Sequence, residues 1–262
     1  MTQNQWLPRA FNDWRFVLLL LIGSLGIFPD LGNATILVMV SLIMYTVSGI
    51  AYRWFSTFLA LLAGGSILVL SVIRFVGVEK FSQIPVFGYV AKRFSAFFNP
   101  FNDLAGAGHQ LANSYYAMVN GGWFGLGLGN SIEKRGYLPE AHTDFVFSIV
   151  IEEFGFVGAS MILALLFFLI LRIILVGIRA KDPFNSMVAI GVGGMILVQV
   201  FVNIGGISGL IPSTGVTFPF LSQGGNSLLV LSVAIAFVLN IDASEKRAKL
   251  IREYESQTSA TL

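Results

Sequence analysis

The chain has 262 residues, 55% hydrophobic and 11% charged, with a formal net charge of +2 and a mean hydropathy of +0.79. An ordinary soluble domain carries about 25% charged residues, so composition excludes a soluble globular enzyme. Scattered rather than striped basic residues argue against nucleic acid as a partner, and the lack of cysteine excludes disulfides and thiol-ligated metals.

Uncharged runs long enough to cross a bilayer core, about 20 residues as a helix, predict an all-α polytopic membrane protein with six spans in one membrane domain, 1–262. The first apolar run, Phe16 to Phe28, follows Arg9 and Arg15 and ends at Pro29-Asp30-Leu31-Gly32. It lacks a small-residue cleavage site and reads as a first anchor rather than a signal peptide. The remaining spans are Ala34 to Ala51, Phe55 to Ile73, Phe154 to Leu171 (running on toward Ile178), Ser186 to Gly206 and roughly Phe218 to Ile241. The polar tail, Asp242 to Leu262, is expected to fray beyond the membrane.

Arg9 and Arg15, Arg53, Arg179 and Lys181, and Lys246, Arg247, Lys249 and Arg252 all fall on one side of this arrangement. The positive-inside rule makes that side the cytoplasm. Both termini are then cytoplasmic. The Gly206–Pro219 loop and the long segment 74–153 lie outside, and long loops are largely exempt from the charge rule. About eighty residues is unusual for a connection without function. Within it, Val90 to Phe98, with Lys92 and Arg93 among aromatics, reads as an amphipathic piece at the interface. Tyr115 to Gly129 is glycine-rich and too short to cross comfortably. It is either re-entrant, tucked against the bundle where protein satisfies its backbone, or a close helix contact through small residues.

The stretch Tyr137 to Gly158 gathers Glu140, Asp144, Glu152, Glu153 and His142 in an otherwise apolar chain. Pro139 suits the first turn of a helix, and a helix starting there sets Glu140 and Asp144 four residues apart on one face. Asp144 near that helix start is favoured in its ionised form, while a charged Glu140 would oppose it. An ionised carboxylate at the outer membrane edge could accept a proton from a substrate hydroxyl or hold a divalent cation. The plainer alternative is that both acids solvate or cap a helix end. Lys134 and Arg135 could bind phosphate or pair with Glu133 and Glu140. Glu152 and Glu153, entering an apolar segment, are expected to face the bundle interior or a wet cavity. His109 and His142 read as polar loop residues. A second stretch, Gly209 to Ser227, has two prolines, several glycines and no charge. It predicts a fixed, non-helical backbone, with Ser222, Gln223, Asn226 and Ser227 supplying hydrogen bonds where the helix resumes.

The blocks Leu138-Pro-Glu-Ala-His-Thr-Asp-Phe145, Glu152-Glu-Phe-Gly-Phe-Val-Gly158, Gly121-Gly-Trp-Phe-Gly-Leu-Gly127 and Pro219-Phe-Leu-Ser-Gln-Gly-Gly-Asn-Ser227 resemble the signature blocks of the SEDS family. These are the membrane peptidoglycan glycosyltransferases of cell division and elongation. Asn130 to His142 is more similar to the division type. The chain departs from the pattern at Phe28, where a polar residue is usual, and at Gln223 and Asn226, where Tyr and Ser are common. Members typically have ten spans, and this sequence looks like the last six, so a fragment or a gene start at an internal Met is expected.

The resemblance implies a polymerase of lipid II that joins disaccharide units and releases undecaprenyl pyrophosphate. The family's essential aspartate maps onto Asp144, expected to deprotonate the acceptor hydroxyl, alone or with a divalent cation (Mg or Mn). The loop lysine maps onto Lys134, a pyrophosphate contact, and Arg135, Glu140, Ser222, Gln223, Asn226 and Ser227 complete the expected substrate-binding set. Expected partners are a class B penicillin-binding protein transpeptidase and other divisome membrane proteins, at the septum of a bacterial plasma membrane. Two rivals stay open: a flippase or transporter for lipid-linked precursors, and a non-catalytic division scaffold.

Overall fold

The computed structural model describes residues 31–47 and 108–260, together with positions 64, 71, 75, 93–94, 96–102 and 106. The predicted span Phe16–Phe28 and most of Phe55–Ile73 lie outside the described residues. What is described is all helical, with no strand among it: α1 (Leu31–Val47), α2 (His109–Gly121), α3 (Val146–Arg179), α4 (Pro183–Ile207) and α5 (Gly225–Ala260), with 3-10 turns at Pro100–Asn102 and Glu133–Arg135. Helices α3, α4 and α5 are each long and apolar enough to cross a membrane, and α1 is a shorter apolar helix.

The α3–α4 turn follows from its residues. Pro183 occupies the first turn of α4, where its missing N–H costs nothing, and Asp182 caps that helix by accepting from Phe184 N at 3.3 Å. Small residues then let the helices close on each other. A Cβ on Gly177 would strike Ile190 and the Ser186 carbonyl, one on Gly193 would strike Ile174, and Gly191 and Gly194 receive Met44 and Ile43 of α1. Leu166, Ile170 and Ile173 of α3 bury against Ala189, Ile196 and Val200 of α4, with Leu231, Val238 and Ile241 of α5 completing the core. Leu165, Phe168, Phe201, Phe237 and Leu239, on the other faces of these helices, are exposed.

Three boundaries differ from expectation. Helix α3 begins at Val146 rather than Pro139, and residues 139–145 form successive turns. Helix α5 begins at Gly225, not Phe218, because 217–224 bond elsewhere. The tail expected to fray is helical to Ala260. Lys246–Asp242 at 2.5 Å and Lys249–Glu253 at 3.7 Å support it as i,i+4 pairs.

Lys181 N donates to Glu245 Oε1 at 3.1 Å. The basic α3–α4 turn and the charged part of α5 therefore share one end of the bundle. The start of α3, the end of α4 and the start of α5 gather at the other end.

Helix α3 is interrupted at Gly155 (φ 71°, ψ 179°). There the chain after α2 threads into the helix's own hydrogen-bond ladder. Leu126 N and Gly127 N donate to the carbonyls of Glu152 and Glu153 at 2.9 Å each, while Phe156 N and Val157 N donate to the carbonyls of Gly122 and Trp123 at 2.9 and 3.1 Å. Four of the α3 backbone groups at the break find partners in this segment, which is how an irregular stretch is tolerated against an apolar helix. The glycine-rich stretch is thus tucked against the bundle, and both expected uses of its glycines occur: Gly121 of α2 allows a close contact with Ile151 and Glu152 of α3, and Gly125 allows close backbone approach at the break.

Candidate active site

Glu152 and Glu153 both turn toward the 120–136 segment. Glu152 is 0% exposed, and its carboxylate accepts from Asn120 Nδ2 and Ile132 N at 3.2 Å each, from Glu133 N at 3.4 Å and from Ser131 Oγ. This is the satisfied carboxylate that burial requires. Its task is to fasten the loop. Glu153 forms an ion pair with Lys134 Nζ. The partner of Lys134 is therefore neither Glu133 nor Glu140, because the 3-10 turn at 133–135 swings its side chain onto α3. Burial and, second, the charge of Glu152 push the Glu133 carboxyl above its ordinary range. Arg135 is exposed, in no ion pair among the described residues. His142 is exposed, and His109 bonds Asn113 at 3.1 Å.

Asp144 lies two residues before α3. Three consecutive carbonyls around it are held by donors from far along the chain. His142 O accepts from Gln223 N at 2.8 Å, Thr143 O from Ser222 Oγ at 2.6 Å, and Asp144 O from Asn203 Nδ2 at 2.7 Å. With these carbonyls turned toward distant donors, residues 139–145 take up turns instead of a helix from Pro139. Glu140 consequently does not stack on Asp144. Its carboxylate is exposed and accepts from Thr143 Oγ1 at 2.6 Å.

The 218–222 turn is closed by Phe218 N donating to Ser222 Oγ at 2.7 Å and Ser222 N donating to Phe218 O at 3.2 Å. Phe220 there sits at φ 64°, a strained position for a non-glycine residue. Phe218 stacks on Phe147 of α3, with centroids 4.6 Å apart and rings within 6° of parallel. Of the residues expected in this stretch, Ser222 acts through its hydroxyl and Gln223 through its main chain. Ser227 Oγ lies 3.5 Å from Thr217 Oγ1, and Asn226 is exposed in the first turn of α5.

Asp144 lines a small, partly open cleft together with Val202, Asn203, Gly206, Ile207 and Ser213–Val216. Two residues of this site were not anticipated. Asn203, 4% exposed, also donates to Val216 O at 2.7 Å, and its Oδ1 is buried without a partner. Its signal was an amide inside an apolar span, which normally marks function. Arg93, expected at the membrane interface, instead turns inward, with Nη1 donating to Ser213 O at 2.5 Å.

Asp144 and the orphaned Asn203 Oδ1 are the side-chain oxygens on which a divalent cation would depend here. No group of three His, Asp or Glu side chains that could hold a metal occurs among the described residues. A hard cation such as Mg²⁺ is commonly held by one or two carboxylates together with substrate phosphates and water, so Asp144 with a donor pyrophosphate would be the group that holds one, and no step below runs through a cation.

The family model for cell cycle proteins of the FtsW, RodA and SpoVE types matches residues 3–247. The chain belongs to that family. A probable peptidoglycan glycosyltransferase FtsW of Lactococcus lactis subsp. lactis (strain IL1403) is 56% identical over 242 residues, covering 92% of this chain and 58% of that protein. The corresponding protein of Bacillus subtilis (strain 168) is 40% identical over 223 residues, covering 85% and 54%. A solved chain from work on polymerization and crosslinking by a peptidoglycan synthase complex superposes with a TM-score of 0.65 at 26% identity, over 87% of this chain and 60% of that one. The chain thus spans a little over half the length of these relatives. It is an all-α membrane protein of this family.

Proposed function

We propose that this chain carries the catalytic part of a peptidoglycan glycosyltransferase that polymerises lipid II during cell division, with Asp144 as general base. The observation that carries the reading is the seating of Asp144. One carboxylate opens onto a cleft at an end of an apolar bundle, with its own carbonyl and the two before it clamped from α4 and the 218–223 turn. Family membership supports the substrate class.

In the step proposed, Asp144 takes the proton of the acceptor sugar hydroxyl as that oxygen bonds to the anomeric carbon of the donor. The bond from that carbon to the pyrophosphate breaks, and its electron pair leaves with undecaprenyl pyrophosphate. General base assistance of this kind contributes about 10²–10⁴-fold. A base near the start of a long helix benefits from the positive end of its dipole. Lys134, Arg135, Glu140, Gln223, Asn226 and Ser227 remain proposed substrate contacts at the same end of the bundle. Lys134 must meet a phosphate while paired to Glu153.

The proposed setting is the septal plasma membrane of a bacterium, with both termini cytoplasmic and the Asp144 end outside. The basic α3–α4 turn and the charged part of α5, which share the opposite end, support that orientation. The proposed partners are a class B penicillin-binding protein transpeptidase, in keeping with the synthase complex that the fold resembles, and further divisome membrane proteins. The deciding experiment supplies lipid II to the full-length protein in liposomes. It follows glycan strands on a gel and lipid II movement between leaflets in parallel. Strands without net translocation are expected. Translocation without strands would establish the transporter reading, and neither activity beside intact partner binding would establish the scaffold.

A further inference from the structure

Arg93 is not among the residues lining the Asp144 cleft, but its guanidinium reaches the Ser213–Val216 wall. Its Nη1 donates to Ser213 O at 2.5 Å and lies 3.4 Å from Ser213 Oγ. The same wall is held at its far end, where Val216 O accepts from Asn203 Nδ2, the group that also holds Asp144 O. Between the two clamps sits Gly215 at φ 79°, a conformation that favours glycine. A Cβ built on it would lie 3.2 Å from Arg93 Nη2 and 3.4 Å from Asp144 Oδ2. The guanidinium and the carboxylate are thus drawn up to the same face of one bare Cα, where a methyl would crowd both.

We infer that Arg93 is a positioning residue for Asp144. It fixes the Ser213–Val216 wall and, over the bare face of Gly215, directs the carboxylate oxygen by its charge. The inference rests on the glycosyl-transfer reading above. A partly buried site strengthens the attraction between opposite charges well beyond its value in water. A guanidinium also serves two directions at once, one nitrogen to the Ser213 carbonyl and one toward the acid, which an ammonium cannot reproduce in full. The glycine at 215 is then required twice over, for its backbone angle and for the closeness it permits.

The test is lipid II polymerisation by the full-length protein carrying Arg93→Gln, Arg93→Lys, Gly215→Ala or Asp144→Asn, with thermal unfolding of each. Misplacing a catalytic group by about 1 Å can cost on the order of 10²-fold. A loss of that size in kcat is expected for Arg93→Gln, at nearly parental KM. Arg93→Lys should recover part of it, since the charge remains. Gly215→Ala approaches from the other side with Arg93 intact and should also lower kcat, which keeps the test alive if the Arg93 variants fold poorly. Parental kcat in Arg93→Gln, or Lys no better than Gln, would overturn the inference. A raised KM at unchanged kcat would overturn it too, by making Arg93 a substrate contact. Parental activity in Asp144→Asn would instead sink the glycosyl-transfer reading itself, so the two failures are distinguishable.

Discussion

Gly125 and Gly155 meet backbone to backbone, so closely that a Cβ on either would collide with main-chain atoms of the other. Thirty residues apart in sequence, they mark where the segment after α2 enters the interrupted ladder of α3. That contact sets the height at which Glu152 and Glu153 meet the 131–134 turn.

The interlock separates two costs that glycine substitutions usually mix. Gly125 and Gly129 both have positive φ, 79° and 85°, but a Cβ on Gly129 would meet nothing. Gly129→Ala should therefore cost only the left-handed backbone penalty, about 1–2 kcal/mol. Gly125→Ala adds a main-chain collision and should lower the unfolding temperature in detergent far more. Equal losses would mean that the interlock is not rigid.

Glu133 is buried beside Glu152, with one carboxylate oxygen lacking a partner. Its folded pKa lies above the unfolded value, so folding favours the protonated form. The stability this contributes is fully present below the unfolded pKa and fades as pH rises through the folded one. Glu133→Gln keeps the shape without the charge. It should raise the thermal midpoint at neutral pH and flatten the decline on going up from acidic pH. A variant with the parental pH dependence would place the sensitivity elsewhere.

Lys134 and Glu153 are a partly buried pair, and removing one partner leaves the other charge uncompensated. Lys134→Ala should lower stability, and adding Glu153→Gln should restore much of it. Thermal unfolding of the two singles and the double measures the coupling. Additive losses would show that the pair contributes nothing. Donor use assayed in the restored double variant then reports on Lys134 without the folding defect.

Much of the bundle was legible because apolar length is a local property. Helices α3 and α4 fall within a few residues of where hydropathy put them, apart from the first turns of α3. Glu152 and Glu153 were legible as acids facing inward, whereas the residues alone left Asp144 between a base and a helix-end cap, and only the family resemblance singled it out. What failed was whatever depends on contacts between distant residues. The donors of Asn203, Ser222 and Gln223 hold the 142–144 carbonyls out of any helix, and nothing within 139–145 announces them. Arg93 was read on its own segment's amphipathic pattern, whereas its hydrogen bond lies 120 residues away at Ser213. The helical tail failed differently, since polarity was taken for fraying although i,i+4 pairs suffice to carry a helix past the apolar span.

Ser222 and Asp144 together give the sharpest division between holding and reacting. Ser222 Oγ donates to Thr143 O and accepts from Phe218 N, so Ser222→Ala leaves both backbone groups without their partner. An unsatisfied buried group costs about 1–3 kcal/mol, so this variant should lose stability and some rate, because the loop carrying Asp144 loosens. Asp144→Asn keeps the carbonyl clamp and the side-chain shape but cannot take a proton. Its thermal midpoint should stay near parental while lipid II polymerisation by the full-length protein falls by about 10²–10⁴-fold. Glu140→Gln, at an exposed acid whose carboxylate accepts from Thr143 Oγ1, removes a proposed substrate contact but not the base, and should cost less than either. The order expected on the polymerisation gel is Glu140→Gln above Ser222→Ala above Asp144→Asn. Parental strand yield from Asp144→Asn would remove the base from the reaction and with it the mechanism built around this cleft.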